Sequence, residues 1–315
     1  MHVGTRPTRS RRLRRAVAGV AVAAVCLTAA PAFAAFPGQP NTIVFWTGRE
    51  GGSHLYRMDA RGRHQRPVGD GFDAAFPGQL SPDGRRVVFV STQGIGLGPN
   101  VWVADLDGSG ATQLTFGDTF IFDPSWHPNG RKVLFSTWVP ANSSLEIFSV
   151  RATGGTPKQI TDTRAIDEYQ PVWSPDGAWI AYSGNNDNDP VFNYDIYRVR
   201  PDGTGRRRVT ATLRRYEFGP DWRADGARLV FSTYGNEGAR NDVLTAKLDG
   251  SDIRNVTKRL DRQISYAIWL PNGRIAFAAR RSDTDDLEIW TIRPDGADPH
   301  RLTRNDATDD LSEVT

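Results

Sequence analysis

The sequence predicts an all-β fold, a six-bladed β-propeller with four antiparallel strands per blade, and three observations predict it. A turn ending in Asp-Gly or Asn-Gly recurs as SPDG (81–84), HPNG (127–130), SPDG (174–177), RADG (223–226) and LPNG (270–273). Its Asp or Asn recurs at spacings of 46, 47, 49 and 47 residues, a fixed period that marks a repeat architecture. Each period holds four short apolar runs separated by glycine turns, and four antiparallel strands repeated around a ring make propeller blades.

The first element in chain order is a leader. Arg6, Arg9, Arg11, Arg12, Arg14 and Arg15 stand before an apolar run, AVAGVAVAAVCLTAA (16–30), and Ala32-Phe33-Ala34 follows as a small-residue cleavage site. This pattern describes a secretory signal peptide over residues 1–34, with an apolar run shorter than the roughly 20 residues of a membrane-spanning helix. The expected mature protein, 35–315, is exported and has a periplasmic, envelope-associated or extracellular place, with no transmembrane segment after cleavage. N-terminal sequencing of the exported protein is expected to read from Ala35; an intact Met1 on a membrane-extractable species would show an uncleaved anchor instead. Cys26, the single cysteine, lies inside the apolar run, so the mature protein is expected to lack disulfides and thiol chemistry.

The formal net charge of +3 also belongs to the leader. Without its six arginines, 33 basic residues face 36 acidic ones. That balance excludes the basic footprint a nucleic-acid-binding face needs.

Residues 42–68 supply TIVFWT, HLYRMD and RPV, which match the second, third and fourth strands of a unit and lack a first. Five complete units follow, from about 73 to 305. In each, an inner tryptophan (Trp126, Trp173, Trp222 or Trp269, with Leu80 in the odd copy) precedes the turn. A second strand follows: VVFV, VLFS, IAYS, LVFS or IAFA. A third follows that: VWVAD, EIFSV, DIYRV, DVLTA or EIWTI. A glycine turn leads to a short run ending in Thr115, Thr161, Thr210, Thr257 or Thr303. The tail LTRNDATDDLSEVT (302–315) aligns without gaps to ITDTRAIDEYQPVW (160–173), so it supplies the missing first strand. The ring is predicted to close by pairing chain end with chain start, which removes exposed sheet edges.

The pattern P-x-W-S-P-D-G, strand, D-I-Y, D-G, L-T resembles the PD40, or WD40-like, repeat of TolB-type six-bladed propellers, over essentially the whole expected mature chain. The resemblance implies a propeller in the cell envelope. Related propellers also precede the hydrolase domain of prolyl-oligopeptidase-like enzymes, and no such domain accompanies the repeats here. The family's α/β domain ahead of the propeller has no counterpart in the residues before the first strand.

The four inner tryptophans invite a reading as sugar-stacking platforms. They recur at one repeat position beside a turn, where a ring must fill the wedge between blades, so packing is the expectation. The Asp-Gly acids are turn formers, because Asp and Asn bond their own backbone and tolerate left-handed geometry. No G-x-S-x-G, H-E-x-x-H or Walker loop occurs. His54, His64, His127 and His300 have no metal-ligand spacing to one another, and His127 replaces the serine of the turn. The loop NNDNDP (185–190) offers oxygen ligands that suit calcium, against the alternative of a solvated loop. Asp283, Asp285 and Asp286 pose the same choice. No other cofactor is expected.

Strand direction alternates, so the PDG and DG turns share one face and the variable loops share the other. Binding residues usually sit on such loops. At the inner rim of the variable face, the positions six and five before the tryptophan hold Ala74-Ala75, Phe120-Ile121, Asp167-Glu168, Tyr216-Glu217, Gln263-Ile264 and Asp309-Asp310. The candidate ligand-binding set is therefore Phe120, Asp167, Glu168, Arg215, Glu217, Asp309 and Asp310, with Trp138 from the loop 137–144. No catalytic residues are assigned. The alternative is a solvated polar funnel whose acids pair with Arg164, Arg214, Arg215 and Arg262. The functional expectation is a monomeric exported binding protein for an envelope or extracellular protein, peptide or glycan. A hydrolase or lyase acting in the channel is the alternative.

Overall fold

A computed structural model of the chain describes residues 42–48, 54–68, 74–92, 98–164, 166–185, 193–211, 215–235, 241–281, 285–304 and 308–314. The leader, residues 186–190 of the Asp/Asn-rich loop, Asp283 and Arg214 lie outside them. So do the side chains of Ala74, Ala75, Arg215 and Asp310.

Six four-stranded antiparallel sheets form the ring. Blade 1 takes its innermost strand from the chain end: Asp309–Val314 pairs with Thr42–Thr47, followed by His54–Asp59 and Arg66–Pro67. The register matches Thr47 with Asp309 and Phe45 with Leu311, as the alignment of 302–315 with 160–173 predicts. The innermost strands of blades 2 to 6 are Ala74–Leu80, Ile121–Trp126, Glu168–Trp173, Arg215–Trp222 and Gln263–Trp269. Among the described residues no helix is long and apolar enough to cross a membrane.

The core sits at the joints between blades. Ile43, Phe45 and Met58 of blade 1 cluster with Ile268, Ala276 and Ile289 of blade 6. Each of five further clusters likewise joins two neighbouring blades. The inner tryptophans fill these joints. Trp126, Trp173, Trp222 and Trp269 are each 2% exposed or less, which leaves no ring face for a sugar. Two of them also stitch the ring: Trp126 Nε1 donates to the Gln79 carbonyl at 3.0 Å, and Trp222 Nε1 to that of Val172 at 3.3 Å. His127 does act as a turn residue. Its Nδ1 accepts the Asn129 amide at 3.1 Å, and its ring meets Trp173 edge-on at 4.4 Å.

The Asp-Gly turns do more than reverse the chain. A β-carbon on Gly203 would lie 2.4 Å from the Ile160 carbonyl oxygen of the preceding blade, and one on Gly250 would lie 2.2 Å from that of Val209. Both glycines also have positive φ, 85° and 83°. Glycine is required there twice over, for conformation and for blade-to-blade approach.

Candidate functional site

The uniform face is occupied by turn making. Asp83, Asp176 and Asp225 accept the backbone amides of Arg85, Ala178 and Ala227 at 3.2, 3.0 and 2.9 Å. Hydrogen bonds from side chain and backbone hold Asp176 below the usual carboxylate range.

Under the variable face lies a polar layer that the sequence reading did not single out. Each repeat threonine accepts an amide in the first half of its blade's third strand: Thr115 from Val101, Thr161 from Ile147, Thr210 from Ile196, Thr257 from Val243 and Thr303 from Ile289, all at 2.9 Å. The residue before that amide is Asn100, Glu146, Asp195, Asp242 or Glu288, each buried. Thr257 donates to Asp242 at 3.2 Å and Thr303 to Glu288 at 2.5 Å. The signal was present in the repeats as a polar residue in phase at the start of every complete third strand.

This layer absorbs most of the expected rim acids. Glu168, Glu217 and Asp309 have no exposed surface. Glu168 accepts from Thr163 Oγ1 at 3.0 Å, with Arg206 Nε 4.0 Å away. Burial pushes its pKa up to about 7, and the neighbouring Glu146 carboxylate adds to the rise. Glu217 accepts from Thr210 Oγ1. Asp167 is half-buried, and its Oδ1 takes the Leu145 amide at 2.8 Å. Glu168, Glu217 and Asp167 are hydrogen-bonded into the blades and Asp309 is buried, whereas the sequence reading placed them around an opening. Among the candidates whose side chains are described, Phe120 and Trp138 are the exposed ones, at 66% and 39%.

Those two belong to a larger feature. Six rings run in file across blades 3, 4 and 5: Phe120, Phe122, Tyr169, Tyr194, Tyr216 and Tyr234. Successive centroids lie 6.2, 6.4, 5.8, 5.8 and 6.5 Å apart. The ends, Phe120 and Tyr234, are exposed and the middle rings are half-buried. Trp138 stands beside Phe120, its amide 3.4 Å from the Phe120 carbonyl oxygen. Burial drives the Tyr194 phenol up to about 12 and that of Tyr169 higher, so both stay neutral hydrogen-bonding groups. Phe120 and Tyr216 share the position six before an inner tryptophan, and Phe122 and Tyr169 the position four before it. Tyr194 and Tyr234 flank variable loops, and the file as a whole appears only when the blades stand side by side.

Below the arc the channel is crossed. The innermost strands bulge three residues before the tryptophan, where Asp123, Gln170, Gly219 and Tyr266 all have positive φ. Gln170 Nε2 donates to the Tyr266 hydroxyl at 2.9 Å, from blade 4 to blade 6. Gln170 also donates its amide to Asp123 Oδ2 at 3.0 Å and accepts that of Gly219 at 2.7 Å. Among the described residues no cluster of three or more His, Cys, Asp or Glu is placed to hold a metal.

This ring and its repeat grammar have counterparts among known proteins. The profile of the TolB beta propeller domain, PD40, matches residues 120–310. The chain belongs to the TolB β-propeller family. A Tol-Pal system protein TolB from Rhizorhabdus wittichii is 35% identical over 83 residues, 26% of this chain and 18% of that protein. A TolB homolog from Chlorobium luteolum is 27% identical over 157 residues, 49% of this chain and 34% of that protein. The chain thus spans about a third or less of the curated relatives it matches. Among solved structures, TolB from Acinetobacter baumannii superposes with a TM-score of 0.69 at 18% identity, covering 87% of this chain and 66% of that one. An oligogalacturonate lyase from Vibrio parahaemolyticus gives 0.61 at 14% identity, covering 88% and 78%. At such identities the likeness is one of fold, and the TolB-family ring is shared with an enzyme.

Proposed function

We propose that this chain is a non-catalytic, exported binding propeller that acts as a single ring and holds an extended protein segment, peptide or glycan along the aromatic arc of its variable face. The arc carries the reading. Aromatic side chains give large contact area at low entropic cost, and Tyr and Trp dominate binding hot spots. Here six rings are aligned across three blades, with both ends open to solvent. TolB-family membership and the signal-peptide pattern of the leader support a place in the envelope or outside the cell. The bond between Gln170 and Tyr266 weighs against the alternative, chemistry in the channel, because it spans the path a substrate would take.

The test is a panel of immobilised peptides and polysaccharides probed with the exported ring. The triple variant Phe120→Ala, Trp138→Ala and Tyr234→Ala changes exposed residues, so its melting temperature is expected to stay near that of the parent. Affinity for any captured ligand is expected to fall by tenfold or more, since each lost aromatic contact is worth roughly 1 kcal/mol or above. Unchanged affinity in the triple variant would place the site elsewhere.

A further inference from the structure

A cleft of about 360 Å³ opens between blades 5 and 6 on the uniform face, away from the aromatic arc. Arg223, Arg228, Lys247 and Arg254 of blade 5 line it, with Trp269 and Pro294 of blade 6. Ala227 also lines it, at the position after the turn glycine where blades 2 and 3 carry Arg85 and Arg131 and blade 4 carries Ala178.

The cations outnumber their partners. Asp252 binds Arg228 Nη1 at 2.7 Å and Arg254 Nε at 2.8 Å, and Asp225 binds Arg223 Nη2 at 2.7 Å. Two carboxylates thus pair with three of the four positive groups, and Asp249 lies within electrostatic reach of the fourth, Lys247. Arg228 is fixed in place, because its Nη2 also donates to the Asp252 carbonyl at 2.7 Å and to Thr245 Oγ1 at 3.2 Å. Lys247 has no ion pair among the described residues, and Arg254 is held through Nε, which leaves its terminal nitrogens as donors. Arg223 lies over the Trp269 ring at 5.8 Å. Blade 6 repeats the arginine–aspartate pair as Arg274 and Asp298, 2.9 Å apart. It has Leu270 where blade 5 has Arg223, so the full set is particular to this joint.

The geometry points to a binding site for a phosphate monoester in this cleft. The cleft's lining is basic, which suits a group that carries about −1.5 to −2 at neutral pH. Lys247 and Arg254 offer charge-assisted donors to its oxygens. Pro294 lines the cleft as an apolar edge for the organic part. The same chemistry occurs in a soluble phosphomonoester and in a phosphatidic acid headgroup.

Two measurements on the exported ring separate these sources. Glycerol phosphate is titrated by calorimetry at low salt, and the ring is co-sedimented with phosphatidylcholine vesicles with and without phosphatidic acid. Binding in the first arm assigns a soluble ligand; binding only to phosphatidic acid vesicles assigns a headgroup. In either arm the double variant Lys247→Ala and Arg254→Ala is expected to weaken binding by about tenfold or more. Its Arg228–Asp252 bond remains, so its melting temperature should hold. Lys158→Ala, which removes an exposed cation from the outer strand of blade 3, should bind as the parent does. Parent-like affinity in the double variant, or no binding in either arm, overturns the assignment.

Discussion

Deleting residues 306–315 is expected to lower the melting temperature by well over 10 °C or to leave an aggregating protein. The segment is the innermost strand of blade 1, and it is anchored on both sides. Its backbone pairs with Thr42–Thr47, Asp309 donates its amide to the Leu287 carbonyl at 2.8 Å, and Thr308 accepts that of Gly48 at 3.1 Å. Removing it bares the edge of Thr42–Thr47, and with it the joint where Ile43 and Phe45 meet Ile268 and Ile289. Each lost backbone bond costs about 1 kcal/mol net, so the ladder alone is worth on the order of 5 kcal/mol before packing. A typical single substitution costs about 1 kcal/mol. Bared strand edges also recruit other chains. Differential scanning calorimetry with light scattering reads both effects, and a peptide spanning 302–315 supplied in trans should recover part of the loss. A truncated ring that melts with the parent would mean the closure contributes nothing.

The closure was legible because the tail aligns without gaps to an internal segment, and a repeat protein reuses one solution at every position. The same logic made the blades, the turn acids and the buried tryptophans readable from Asp-Gly turns and in-phase aromatics. It failed where side-chain direction decides. Glu168 and Glu217 stand five residues before a tryptophan, at positions that point into the blade. Phe120, Asp167 and Tyr216, six before, are open or half-buried. Strand alternation turns neighbouring residues to opposite sides, so adjacent letters in one rim position have opposite fates. The aromatic arc was harder still. Tyr169, Tyr194 and Tyr216 lie on different strands of two blades, and only the closed ring brings them into file.

The burial of so many acids sets how the ring responds to pH, and it should melt higher near pH 5.5 than at pH 8. Asp123 is nearly enclosed where the innermost strands bulge, and burial drives its pKa from the ordinary 3.8 up to about 7, opposed by the Gln170 amide. Glu168 reaches about 7 by burial first, and Asp221 is also raised by burial. For an acid raised in the folded state, the native protein holds more protons between the two pKa values. Stability therefore falls as pH rises from about 4 to about 7, and the full penalty applies above that. Three groups act the other way. Asp59 and Asp252, held at about 2 by hydrogen bonds and arginines, lose their contribution only in strong acid. His127, lowered by burial, weakens the fold as pH drops below its ordinary value of 6.5. A stability maximum between about pH 4 and pH 7 follows. The variant Asp123→Asn isolates the cause. Asparagine keeps an oxygen for the Gln170 amide and tolerates the φ of 54° at this position. At pH 8 it should gain about 2–4 kcal/mol, several degrees in a ring of this size, while at pH 4 the gain should nearly vanish. Glu168→Gln, which also removes the repulsion from Glu146, should behave alike with a smaller gain, because Thr163 already stabilises its charged form. Thermal melts of the parent and both variants from pH 4 to pH 9 read this directly. Equal shifts at every pH would show that the two carboxylates are charged throughout and that the polar layer, rather than protonation, accommodates them.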